Sequence, residues 1–165
     1  MRFQFNDGGR SAAGFRGETG DCVTRSIAIA TGKRYREVYD AMWSGIRDSA
    51  RVKKGSSPRS GVSRKVYQKY LESLGWKWTP TMAIGQGCKV HLRDGELPNG
   101  RLIVRVSKHV VAVIDGVIHD TYDEQRDDTR CVYGYYSQGS QEIMSESPGS
   151  YENKAAVYIE NIHLP

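Results

Sequence analysis

Apolar residues change their spacing once along this chain, from helical in the first half to alternating or continuous in the second. Residues 1–19 are rich in glycine and polar side chains and read as an irregular lead-in. From Cys22 the run CVTRSIAIAT is compact and mostly apolar, with Val23, Ile27 and Ala30 at helical spacing, and Gly32 stands where a left-handed cap ends a helix. Cys22 is therefore expected at or beside the N-terminus of a largely buried helix. A second helix is predicted from about Tyr35 to Ser49, with Tyr35, Val38, Tyr39, Met42 and Ile46 on one face. Residues 50–61 (ARVKKGSSPRSG) form a basic connector. A third helix begins near Ser63, a good N-cap, turns Val66, Tyr67, Tyr70, Leu71 and Leu74 inward, and stops at Gly75.

Beyond Gly75 the pattern predicts strands. Trp76–Ile84 is a first one, interrupted by Pro80, and the stretch from Gly85 to Gly100 has no clear period. Leu102–Ser107, His109–Ile114 and Val117–Thr121 are the clearest, with Cys131–Ser137 and Ala155–His163 as further strands. The polar, Gly/Ser-rich residues 138–154 read as a mobile loop. Helices followed by strands indicate one α+β domain over residues 1–165, with an antiparallel sheet packed on the cysteine-bearing helix.

The sharpest local prediction comes from HVVAVIDGVIHDTYD. Asp115-Gly116 between two β-branched runs is the signature of a two-residue type I′ hairpin. Ile114 then opposes Val117 and Asp120 opposes Val111, which shares a face with His109 because strand side chains alternate. His109 and Asp120 become diagonal neighbours roughly 7–8 Å apart at Cα level, a gap that imidazole and carboxylate can bridge. A carboxylate on Nδ1 would fix the tautomer and leave Nε2 to accept a proton. His119 projects from the opposite face, and Asp115 is a turn residue.

Composition narrows the setting. No segment reaches the roughly 18–20 apolar residues of a membrane span, and MRFQFNDGG has no apolar signal region. Three cysteines at unrelated spacings are not a disulfide framework, so reduced thiols in a cytoplasmic protein are expected. Cys88 and His91 lack a second pair at metal-binding spacing, so no metal and no cofactor is expected. The net charge of +5 is unevenly spread: residues 32–70 carry eleven Lys/Arg against three acids, and residues 115–160 carry ten Asp/Glu against three bases.

A free cysteine is only a few per cent thiolate at neutral pH, and a helix N-terminus with a neighbouring imidazolium is the arrangement that activates one. Cys22 is the only cysteine predicted in that position, whereas Cys131 falls in an apolar strand and reads as core. A helix-start cysteine, a histidine opening a strand and an aspartate ending the next one resemble the papain-like cysteine-peptidase superfamily. There the nucleophile heads the central helix, the base opens a sheet strand, and an Asn or Asp on the adjacent strand completes the triad. RGETGDC, from Arg16 to Cys22, also resembles that superfamily's approach to its nucleophile. Val23 and Thr19 depart from papain, which has a tryptophan after the nucleophile and a cysteine three residues before it. The chain thus resembles a small, divergent bacterial or phage-type member, over the helix at 20–32 and the strands at 101–121.

The resemblance implies a cysteine hydrolase, peptidase, isopeptidase or amidase in type, that forms a thioester on Cys22 with His109 as base and Asp120 orienting it. It also implies an oxyanion hole in which the Cys22 N–H supplies one donor. Many members place a glutamine six residues before the cysteine as the second; Arg16 occupies that position here, with Gln4 and Asn6 as alternatives. The substrate would be a protein or peptide. A different class of function, a non-catalytic binding module, is suggested by Arg51, Lys53, Lys54, Arg59, Arg64 and Lys65, a basic tract able to hold nucleic acid or an acidic protein. Tyr67 and Tyr70 beside it fall on the apolar face and read as core. The two readings can coexist, with the tract docking a substrate for the thiol.

Overall fold

The computed structural model describes residues 1–17, 20–49 and 55–139. The elements run β1 (Arg2–Phe5), α1 (Cys22–Thr31), α2 (Tyr35–Arg47), α3 (Arg64–Ser73), β2 (Trp76–Pro80), β3 (Arg101–Val106), β4 (His109–Ile114), β5 (Val117–Asp120) and β6 (Val132–Gln138). The class is α+β, and the described strands form one sheet in the order β1-β5-β4-β3-β6-β2. Its neighbours are antiparallel except β1, which runs parallel to β5 from Arg2↔Val117 to Phe5↔Asp120. The sheet is therefore mixed rather than antiparallel, and the lead-in expected to be irregular supplies an edge strand. All four β1 residues are exposed, so Arg2 to Phe5 carry no alternating burial by which to read a strand.

α1 is buried from Val23 to Ala30, on every side rather than on a stripe, because it lies between the sheet and α2. Gly32 ends it at φ 70° in the left-handed cap that the sequence called for. α2 buries Tyr35, Val38, Met42 and Ile46, and α3 buries Tyr67 and Leu71, each one stripe of an amphipathic helix. These side chains meet Ile103, Val110, Ala112 and Tyr136 of the sheet in one core. The opposite face of the sheet (Leu102, Val104, Val111, Val113, Ile118 and Val132) packs against Leu92, Val90 and Leu97. The aperiodic stretch before β3 is thus a cover for that face. It is pinned to the chain before β6 by Leu92 N–H to Arg130 O and Val132 N–H to Val90 O, both 2.8 Å.

That pinning corrects the reading of the cysteines. Cys88 and Cys131 form a disulfide, Cα–Cα 5.8 Å, and Cys22 is the free thiol. Cys131 precedes β6 in an isolated bridge with His91 instead of sitting in the strand as core. Spacing along the chain carries no trace of this, because the pair is brought together by backbone bonds between two irregular segments. The expectation of three reduced thiols is replaced by one free thiol and one bond. Among the described residues no helix is long and apolar enough to cross a membrane. Arg51, Lys53 and Lys54, most of the loop at 138–154 and the strand expected at Ala155–His163 lie outside the described residues.

Candidate functional site

The hairpin forms as its turn chemistry requires. Asp115 and Gly116 both have positive φ, 46° and 74°, and Ile114↔Val117, Val113↔Ile118 and Ala112↔His119 pair in sequence. Continuing that register sets Asp120, the last residue of β5, diagonal to His109, the first of β4. Their side chains meet: His109 Nε2 lies 2.6 Å from Asp120 Oδ2, both groups almost fully buried. The carboxylate therefore takes Nε2 and not Nδ1. Nε2 is the ring nitrogen farther from the backbone, and a diagonal pair across a strand ladder needs that reach. Nδ1 is left facing the Tyr122 hydroxyl at 3.4 Å.

Cys22 is the first residue of α1, half-buried, and lines the same cavity as His109, of about 1020 Å³. The N–H groups of a helix's first turn lack intrahelical acceptors, so the thiol sits beside unpaired donors and the positive end of the helix dipole. Ser26 Oγ donates to Val110 O at 2.8 Å, and this fixes the helix tip against the strand that carries His109. Burial alone would lower the His109 pKa; the hydrogen bond to Asp120 and the influence of nearby Cys22 outweigh it and raise the pKa to about 9.

Behind the histidine runs a chain of buried charges. Asp120 Oδ1 accepts from Arg25 Nη2 at 3.0 Å and from the Thr121 N–H at 2.7 Å. Arg25 Nη1 in turn meets Asp21, whose other oxygen accepts from Tyr35 Oη at 2.6 Å and pairs with Arg10 Nε at 2.9 Å. Burial opposes the ionised form of Asp120, but His109, Thr121 and Arg25 hold its pKa below the usual value. Burial likewise disfavours the Arg25 cation, and Asp21 and Asp120 more than restore it. Tyr35 is pushed up, by burial first and then by its bond to Asp21. The result is a carboxylate fixed from two sides, with one oxygen committed to the imidazole.

Arg25, Asp21 and Tyr35 were missed in the sequence, although a signal existed. An arginine in the middle of CVTRSIAIAT, a helix expected to be largely buried, requires a buried acid, and Asp21 lies one turn before it. Arg16 is not brought to the cleft. It is exposed, and its contribution is a carbonyl that accepts from Arg10 and Arg59. Gln4 lies in β1 opposite His119, and the Asn6 amide is 3.4 Å from His119 Nδ1, so neither alternative faces the thiol. Of the basic tract, Arg59 and Lys65 are exposed away from the cavity, while Ser60, Gly61, Val62 and Arg64 form part of its wall. Tyr67 is buried, as its helical position implied. Cys88 is taken by the disulfide and His91 pairs with Glu96 at 3.2 Å; no group of three metal-ligating side chains occurs among the described residues.

Chemically, the arrangement places a thiol, an imidazole able to carry a proton and a set of free backbone donors at one concave surface. Such a group can form and break a bond to an acyl carbon. No family model, no curated protein and no solved structure matches the chain.

Proposed function

We propose that this chain is a cysteine-dependent hydrolase of papain-like type, acting on an amide or thioester through a Cys22–His109–Asp120 triad. The reading is supported above all by the 2.6 Å bond from His109 to Asp120 in the same cavity wall that holds the helix-tip thiol. Cys22 sulfur attacks the acyl carbon, the oxyanion is held by the Cys22 N–H, and the C–N bond breaks as His109 gives its Nδ1 proton to the leaving amine. A water molecule then loses a proton to His109 and attacks the thioester. The C–S bond breaks, the acid leaves, and the proton returns to the thiol–imidazole pair. Asp120, anchored by Arg25, keeps the ring aimed throughout.

p-Nitrophenyl acetate tests this. The full chain is expected to release a burst of p-nitrophenol stoichiometric with protein, with an acetyl adduct on Cys22 in the mass spectrum. The burst should vanish in Cys22→Ala and slow by about a hundredfold or more in His109→Ala. An adduct on lysines alone, or a burst that survives Cys22→Ala, would reject the proposal. Of the cations that the binding-module alternative would use, Arg64 lines the thiol's cleft and Arg59 and Lys65 are exposed outside it.

A further inference from the structure

Five cationic side chains line the cleft (Arg10, Arg25, Arg64, Arg105 and Lys108), against one carboxylate, Asp7. Arg10 and Arg25 are neutralised by Asp21 and Asp120. Asp7 is occupied by its own loop, accepting from the N–H groups of Gly9 and Ser11 and from the Ser11 hydroxyl. Arg64, Arg105 and Lys108 make no ion pair among the described residues, yet two of them are held in place by aromatic rings. The Arg64 guanidinium is 4.4 Å from the Trp78 ring centre, and Trp78 is itself packed onto Gly134, where a Cβ would collide with it. Arg105 lies 5.5 Å from the Tyr133 ring centre. Lys108, next to His109, is fixed in the left-handed region at φ 56° in the tight turn between β3 and β4. Arg64, Arg105, Tyr67 and Cys22 line one cavity, so the two guanidiniums and the thiol share a neighbourhood.

We propose that the acyl donor is an acidic peptide whose Asp or Glu carboxylates, close to the scissile carbonyl, seat against Arg64, Arg105 and Lys108. This rests on the acyl-transfer reading of Cys22 and names its substrate class. Ordered guanidiniums beside an excess of positive charge favour carboxylates by charge-assisted, bidentate hydrogen bonds, and the clustered charge speeds the approach of an anionic chain. A peptide suits the site better than nucleic acid. A thiol that attacks an acyl carbon needs an amide or thioester carbonyl, which a peptide backbone supplies at every residue and a nucleic-acid backbone does not.

The test is a pair of fluorogenic peptides that differ only in Glu or Gln at the residues on the acyl side of the bond, assayed with the full chain. The Glu peptide is expected to have about a tenfold or greater advantage in kcat/KM at low salt, shrinking as salt rises. That ratio should collapse towards one in Arg64→Gln/Arg105→Gln and fall partly in Lys108→Asn, which keeps the left-handed turn. Lys77→Gln, an exposed cation outside the cleft, should preserve it. Equal cleavage of both peptides would overturn the acidic preference while leaving the hydrolase intact. Binding is read separately by anisotropy of the fluorescein-labelled Glu peptide on Cys22→Ala. Binding that depends on Arg64 and Arg105 without any cleavage by the wild type would remove the hydrolase reading and keep the anion site. Tighter binding of a single-stranded oligonucleotide than of the Glu peptide would overturn the proposal.

Discussion

The cleft carries two sets of cations whose surroundings differ, and the difference separates what builds the site from what remains free to meet a ligand. Arg10 and Arg25 sit among Asp21, Asp120 and Tyr35, where a charge without a partner would be costly, and every one of these groups is committed. Arg64, Arg105 and Lys108 face the cavity with aromatic or turn support but no carboxylate among the described residues. The first set holds His109 by way of Asp120. The second leaves its charge unspent. The same residue types thus serve as scaffold or as recognition surface according to the depth at which the fold places them.

Substitutions can break that division at either set. Cys22→Ala should have the largest effect on turnover, a loss of about 10⁴-fold or more, with the buried charge chain and the urea midpoint nearly unchanged. Asp120→Ala attacks the committed set. It removes one of the two carboxylates on buried Arg25 and the buried partner of His109, and the expected loss is about 3–5 kcal/mol in urea unfolding together with loss of turnover. Arg105→Gln, on the uncommitted set, should cost no more than about 1 kcal/mol by the same measurement. If Arg105→Gln proved the more damaging of the two to stability, the division would be wrong.

A smaller effect is expected from the covalent tie, which joins the cover of the sheet to the start of β6. Reduction of Cys88–Cys131 frees a loop of 43 residues' separation and should lower stability by about 2–4 kcal/mol, while the rate at which Cys22 is alkylated stays as it was. Calorimetry with and without a mild reductant reads the first and mass spectrometry the second.

The pH dependence follows from the histidine and its carboxylate. The folded pKa of His109, about 9, lies above its ordinary value near 6.5, so its pairing stabilises the fold fully below about pH 6.5 and is lost as pH rises through about 9. Asp120 is held low, so its share is present above the ordinary carboxylate range and lost only as pH falls through its depressed value. Stability should therefore be greatest between these limits. Turnover should decline on an alkaline limb near pH 9, where His109 no longer has a proton for the leaving group. Asp120→Asn removes the charge that favours imidazolium and should move that limb to lower pH in a kcat/KM profile.

Much of this site was legible in the residues because its geometry is local. Asp115-Gly116 fixes a register, the register fixes the diagonal of His109 and Asp120, and the apolar spacing from Val23 to Ala30 fixes Cys22 at a helix start. What was not legible depends on long-range docking. β1 has no burial pattern to announce it, the Cys88–Cys131 bond joins irregular segments, and the ring nitrogen bound by Asp120 depends on how a side chain reaches across a ladder. Arg25 stood in plain view as a charge inside an apolar helix, and its meaning emerged only with Asp21 and Asp120 on either side. Arg16 holds the position of the resemblance's oxyanion-hole donor, and the fold leaves that residue exposed, outside the cleft's lining.

The most direct measurement is the alkylation of Cys22 by iodoacetamide at about pH 6, followed by peptide mass spectrometry in the wild type and in His109→Ala. A thiol paired with an imidazolium should react about tenfold or more faster than free glutathione under these conditions and lose that advantage in His109→Ala. A Cys22 that reacts no faster than glutathione, with a rate indifferent to His109, would contradict the pairing on which the whole account stands.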